Sequence, residues 1–175
     1  SLDGAPCGAV PIGTSRWSSV RACFDVFEGA RAWGFTRTPA VWNWMRGRWS
    51  APLEKHSQSV SLAIERGART IAYAIGRRVV QRDAFIVDDF AFASDEGRTL
   101  LPALLRTAAG DLRRVTGWLP PFGAREALPR GSVRTRKSAI LMIAPLSPLG
   151  RAWWKAERET ILGGSADATW SADHI

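Results

Sequence analysis

A chain of 175 residues that is 46% hydrophobic and 23% charged has the size and composition of one folded domain, able to bury roughly two-thirds of its unfolded surface, and this excludes wholesale disorder. Two cysteines, Cys7 and Cys23, are too few for a disulfide framework, no Cys/His cluster has zinc spacing, and no apolar run approaches the roughly 20 residues of a membrane helix. A reducing, cytoplasmic compartment with no membrane partner is therefore expected. The net charge of +8 comes from 24 Lys and Arg against 16 Asp and Glu, and only Lys55, Lys137 and Lys155 are lysines, so the surface suits phosphate or carboxylate partners that a guanidinium fork can grip.

The apolar residues Trp17, Val20, Cys23, Phe24, Phe27, Ala30 and Trp33 recur at steps of three and four, which predicts an amphipathic helix over 14–33 with Thr14 or Ser15 as its N-cap. Thr38-Pro39 reads as an N-cap followed by proline at the first helical position and opens a second helix through Trp42, Met45 and Trp49, closed near 50–52. The period then changes to two. Val60, Leu62 and Ile64 alternate with polar residues, Gly67 breaks the run, and 70–75 resumes it, the pattern of a hairpin. A further strand is predicted over 84–92, after the turn-like 81–83. Ser94, Asp95 and Glu96 supply an N-cap and an acidic first turn, and Leu100, Leu101, Leu104, Leu105 and Ala108 give a helical stripe that ends at Gly110. A short strand follows over 114–119, then a short helix at 124–128, a strong strand at 138–144 and a helical stretch at 150–162.

With 8–12 as a first strand, this order of elements resembles that of the GNAT (acyl-CoA-dependent N-acyltransferase) superfamily. The resemblance spans about the whole chain. Its central block is 70–119: a hairpin, a strand with a Phe-x-Phe finish at Phe90 and Phe92, a helix, and a strand ending in Trp118-Leu119-Pro120-Pro121. The early Trp42-x-Trp44, the Ile140-Leu141-Met142-Ile143 strand and the closing Trp170-Ser171-Ala172-Asp173-His174-Ile175 are similar to the C-terminal halves of tandem GNAT proteins. The resemblance implies an α+β, α/β/α-layered fold with a mixed, mostly antiparallel sheet of about six to seven strands and helices on both faces. It also implies a single domain over 1–175, which can be one half of a longer tandem protein.

As activity, the resemblance implies transfer of an acyl group, acetyl above all, from coenzyme A to an amine. In this family the pyrophosphate of acetyl-CoA or another acyl-CoA rests on backbone N–H groups where a Gly-rich loop opens the central helix, an anion site made by orphan amides and the helix dipole. Carried onto this chain, that places cofactor contacts at Phe92, Ala93, Gly97, Arg98 and Thr99. A carboxylate on the central strand can serve as general base toward the amine, and Asp89 is the candidate. The loop departs from the family pattern: it holds one glycine, Gly97, and two acids, Asp95 and Glu96, which suit a helix cap and repel a phosphate. The family's frequent tyrosine acid has no counterpart, because the chain's single tyrosine, Tyr73, falls in an earlier strand. A catalytically degenerate GNAT-like domain, the structural or binding half of a tandem acetyltransferase, is the alternative.

Several of these residues also have plainer readings. Alternation along a strand sends Asp88 and Asp89 to opposite faces, and a buried strand aspartate in so arginine-rich a chain is placed to form an ion pair. Arg98 suits a solvated helix start as well as a phosphate contact, and His56 lies in a polar loop. Trp44 falls off the helical face of Trp42 and Trp49, so an exposed tryptophan rimmed by arginine is expected, which fits contact with a second GNAT domain or a homodimer partner. The basic residues Arg130, Arg134, Arg136 and Lys137 fit a solvated edge, a coenzyme A phosphate or an acidic substrate; no nucleic-acid motif accompanies them, and nucleic acid is not expected as a partner.

Overall fold

The computed structural model describes residues 8–30, 36–50 and 56–117, with 148, 149, 152, 155 and 156; the expected helix at 124–128, strand at 138–144 and basic stretch at 130–137 lie outside these residues, as does most of the expected helix at 150–162. In chain order the elements are β1 (Ala9–Pro11), a 3-10 turn (Thr14–Arg16), α1 (Trp17–Gly29), α2 (Pro39–Ser50), β2 (Ser57–Arg66), β3 (Arg69–Val79), a second 3-10 turn (Val80–Arg82), β4 (Ala84–Phe92), α3 (Asp95–Ala109) and β5 (Arg114–Gly117). The sheet runs β1-β2-β3-β4-β5. Its first four strands pair antiparallel, and β5 lies parallel to β4, with α3 as the crossover. The fold is α+β with a mixed sheet of five strands among the described residues, against the six to seven expected.

α2 and α3 start where the caps predict, whereas the expected caps of the first helix, Thr14 and Ser15, fall within the 3-10 turn, and α1 follows Arg16 with no side-chain cap bond. The Thr38 hydroxyl accepts the Val41 N–H (3.3 Å) and its carbonyl the Trp42 N–H, while extended Ser94 accepts the Gly97 N–H (3.1 Å) at the head of α3. At the other end of α3, Gly110 takes a left-handed φ of 63° and returns its N–H to Arg106 and Thr107. Arg78 reaches over from β3 to donate to the carbonyls of Ala108 (2.7 Å) and Thr107 (3.2 Å). Both carbonyls lie in the last turn, beyond the regular i+4 ladder of the helix interior, so an arginine there adds a donor and answers the helix dipole. Asp83, with φ 47°, tolerates the left-handed turn before β4. It also fixes the parallel strand, accepting the Arg113 N–H at its side chain and the Arg114 N–H at its carbonyl.

Along β3, Ala72, Ala74, Gly76 and Arg78 point to one face, and Tyr73, Ile75 and Arg77 to the other. The small side chains of the first row let α3 settle close to the strand; α3 and β3 form the principal helix–sheet contact. The second row faces a core made with α1 and α2, where Val20, Cys23, Phe24, Phe27, Trp42, Met45 and Trp49 are buried. Aromatic rings tie these helices together: Trp17 stacks on Trp49 with centroids 5.9 Å apart, and Phe24 meets Trp42 edge-on at 5.3 Å. Each buried ring of this kind stabilises by roughly 1.5–3 kcal/mol through area alone, with about 0.5–1.5 kcal/mol more for the ring geometry. Trp44 is 44% exposed, with the Arg48 guanidinium 5.5 Å from its ring, as its place off the core face predicts.

Two extra residues interrupt the ladders. Against β2, the partner of Ile64 is Ala72 and that of Glu65 is Thr70, so Ile71 is extra. Against β3, the partner of Ile75 is Asp89 and that of Gly76 is Val87, so Asp88 is extra.

Candidate functional site

The bulge at Asp88 changes what the strand can present. Asp89 stands opposite Ile75, on the face of Tyr73. Asp88 does not take the other face, as strict alternation predicts. It binds the Arg77 guanidinium through both oxygens (3.0 Å each), and Arg77 shares the row of Ile75 and Tyr73. A bulge sets two residues against one, which brings these neighbouring carboxylates to the same side of the sheet.

Two adjacent carboxylates on one face would repel, and each is met by its own arginine. Asp88 and Arg77 are partly buried, with side chains 18% and 17% exposed. Asp89 and Arg37 are closed off, at 0% and 1%. The Arg37 guanidinium donates to Asp89 Oδ2 at 2.7 Å and Oδ1 at 3.2 Å, and the Tyr73 hydroxyl donates to Oδ2 at 2.9 Å. Arg37 in turn lies 3.7 Å over the Phe24 ring and 5.0 Å from that of Trp42. A forked ion pair with a third hydrogen bond and an aromatic cage is the geometry in which a buried charge is tolerated. Burial, and then the Asp89 charge, push the Tyr73 hydroxyl well above its ordinary range. The same two causes push the neighbouring Cys23 thiol up to about 12. Neither group ionises near neutrality, so the cluster holds its protons and one internal ion pair.

The residues expected to cradle a cofactor are also engaged with their own chain. Ala93 donates its N–H to the Ile71 carbonyl (2.9 Å), and Gly97 gives its N–H to Ser94. The Arg98 N–H goes to the Ser94 carbonyl, its side chain pairs with Asp95 at 3.1 Å, and the Thr99 hydroxyl donates to the Asp95 carbonyl at 2.9 Å. Glu96 takes Arg66 from the end of β2. Phe92 meets Phe27 of α1 edge-on, with centroids 4.8 Å apart. Gly97 itself is buried, and a Cβ on it would overlap the Ile71 carbonyl oxygen and lie 2.9 Å from the carbonyl carbon. The glycine is needed for helix-to-strand contact.

The structure thus brings 92–99 to the end of β4, as the sequence predicts, and places Asp89 three residues before it on the strand. What sequence reasoning missed is Arg37, which no helical or strand period marks, and the bulge that unites the two aspartates. His56 is exposed, as expected, and with Gln58, Arg78 and Gly110 it lines a cleft of about 510 Å³ at the other end of α3. That cleft includes none of the expected site residues. Among the described residues no group of three or more His, Cys, Asp or Glu is placed to hold a metal ion, and no helix is long and apolar enough to cross a membrane.

No family model, curated protein or solved structure matches this chain.

Proposed function

We propose that this chain is a GNAT-like domain that has turned its cofactor loop and its candidate base over to its own packing, and that it serves as the structural or binding half of a tandem acyltransferase. Support for the GNAT-like part comes from the order of elements, with one strand, two helices, three antiparallel strands and a crossover helix leading to a strand parallel to the last. The degenerate part is carried by the head of α3. A pyrophosphate needs free amides and positive potential there. Ser94 already takes the Gly97 amide, Asp95 and Glu96 bring two negative charges to the first turn, and Arg98 and Arg66 are spent on those acids.

A second reading, a working N-acyltransferase, is favoured by one observation. β5 accompanies β4 only from Ala84 to Val87 among the described residues, and the bulge at Asp88 begins where that pairing stops. β4 then runs on through Asp89, the candidate base, to Phe92 and the head of α3, the order of base and cofactor loop that this reading requires. In this reading the amine nitrogen attacks the thioester carbonyl, the carbon–sulfur bond breaks, coenzyme A leaves as its thiolate, and the proton shed by the amine passes to Asp89 and from there to the thiolate. Arg37 would first have to release that carboxylate.

Isothermal titration of the purified chain with acetyl-CoA and a longer acyl-CoA separates the two readings. The first expects no binding up to millimolar ligand. Micromolar binding to either would overturn it and direct work to a panel of amines.

A further inference from the structure

Arg37 does more than neutralise Asp89. From 36 to 41 it is the only buried residue; Thr36, Thr38, Pro39, Ala40 and Val41 are all exposed. The next buried side chain is Trp42, one turn into α2. The approach to α2 and its first turn therefore rest on the molecule through one side chain. That side chain crosses 52 residues of sequence to reach the sheet. The Asp89 carboxylate it grips, the Tyr73 hydroxyl that donates to the same carboxylate and, on α1, the Cys23 thiol that feels the Asp89 charge are all buried.

We propose that residues 36–41 form a strap, held down through its one buried side chain, Arg37, that unwinds while the rest of the domain stays folded and in unwinding uncovers the Asp89, Tyr73 and Cys23 cluster. Segments open locally when few apolar contacts hold them, and this one buries one side chain. The elements on either side are secured by buried side chains in numbers, with Val20, Cys23, Phe24 and Phe27 on α1 and Trp42, Met45 and Trp49 on α2. When the fork parts, both ions gain water, so the anchor is also the one contact whose loss hydration partly offsets. Neither reading of the function is required for the strap to work. In the acyltransferase reading it would decide when Asp89 is available; in the degenerate reading it would expose a polar cluster to a partner.

The test measures two reporters of the same opening. In a Cys7→Ser background Cys23 is the sole thiol, and its rate of disulfide exchange with a soluble aromatic disulfide is followed against guanidinium concentration. Amide exchange of Val41 and Trp42, whose N–H groups bond to Thr38, is measured alongside. The expected result is a limb at low denaturant in which Cys23 labelling and both amides, each divided by its intrinsic rate, give one opening free energy that does not respond to guanidinium, while the Ile75 amide exchanges only with global unfolding. Arg37→Lys keeps the charge and loses the fork, and should speed this limb at least tenfold. If Arg37→Lys does not fold, Tyr73→Phe removes one hydrogen bond to Asp89 and should speed the same limb about threefold or more. The proposal is overturned if Cys23 labelling follows the global transition at every denaturant concentration, or if a local limb exists that neither variant accelerates.

Discussion

Replacing Gly97 with alanine separates a packing glycine from one kept for a ligand, and the two readings differ in sign. At an unhindered helical site, alanine is favoured over glycine by roughly 0.8–1 kcal/mol, so a glycine retained only so that a phosphate can approach should yield a more stable variant. Here the new methyl would overlap the Ile71 carbonyl oxygen, with the carbonyl carbon 2.9 Å away and the Phe92 Cβ at 3.4 Å. Backbone cannot rotate aside as a side chain can. Ile71 is already the extra residue of a bulge, and its carbonyl accepts the Ala93 N–H at 2.9 Å. Relieving the overlap moves the head of α3 off β3, with an overpacking cost of about 1–3 kcal/mol and a weakened hydrogen bond of about 1 kcal/mol. After the helix-propensity gain the net loss is about 1–3 kcal/mol, or roughly 2–12 °C in Tm for a domain of this size. Gly47 of α2, beside which a Cβ would meet nothing within 4 Å, is the matched control, and its alanine variant should be as stable as the parent or more so. Thermal and urea unfolding of both variants decide the matter: a Gly97→Ala protein no less stable than the parent would refute the packing argument.

Other consequences follow from the buried cluster. Removing either charge of the Arg37–Asp89 pair strands the other, so Arg37→Met and Asp89→Asn should each cost about 3–5 kcal/mol. The double variant should lose less than their sum by at least about 1 kcal/mol; strict additivity in urea titrations would mean that the pair does not couple. Alkali should weaken the fold through Cys23, whose thiol rises from 9.0 to about 12 in the native state. The folded protein then holds that proton more tightly than the unfolded one. The stabilisation is fully present below pH 9 and is lost as pH climbs from about 9 toward 12. Tyr73, also raised, acts in the same direction. Urea midpoints measured from pH 8 to pH 11 should fall, and the fall should be shallower in Cys23→Ala; an unchanged slope in that variant would remove Cys23 as a cause.

The elements of the described region could be read from the sequence because their signals are local. Proline after threonine placed the start of α2, serine followed by two acids placed the start of α3, and 84–92 is β4 to the residue. The first helix was drawn to Trp33 because its apolar period continues, whereas α1 closes at Gly29. The features that decide the site are not local. Asp88 and Asp89 give no sign that an extra residue will set them on one side, since a bulge is defined by the partner strand. Arg37 reads as one more basic residue in an arginine-rich chain until the sheet brings Asp89 to it. Gly97 is the instructive case. The sequence rightly marks the position as special, but glycine allows close approach to a phosphate and to a backbone carbonyl alike, and only the neighbour at Ile71 distinguishes them.

The bulge in β4 also bears on how this strand tolerates change. A residue gained or lost inside a strand normally turns everything beyond it inside out, trading core for surface along the remaining length. In β4 that surplus is already present and confined to Asp88, so the segments 84–87 and 89–92 each keep their own alternation against β3. The half that lies beside β5 and the half that carries Asp89 to the head of α3 are in this respect two short strands joined by a spacer, free to diverge in sequence without disturbing each other's facing.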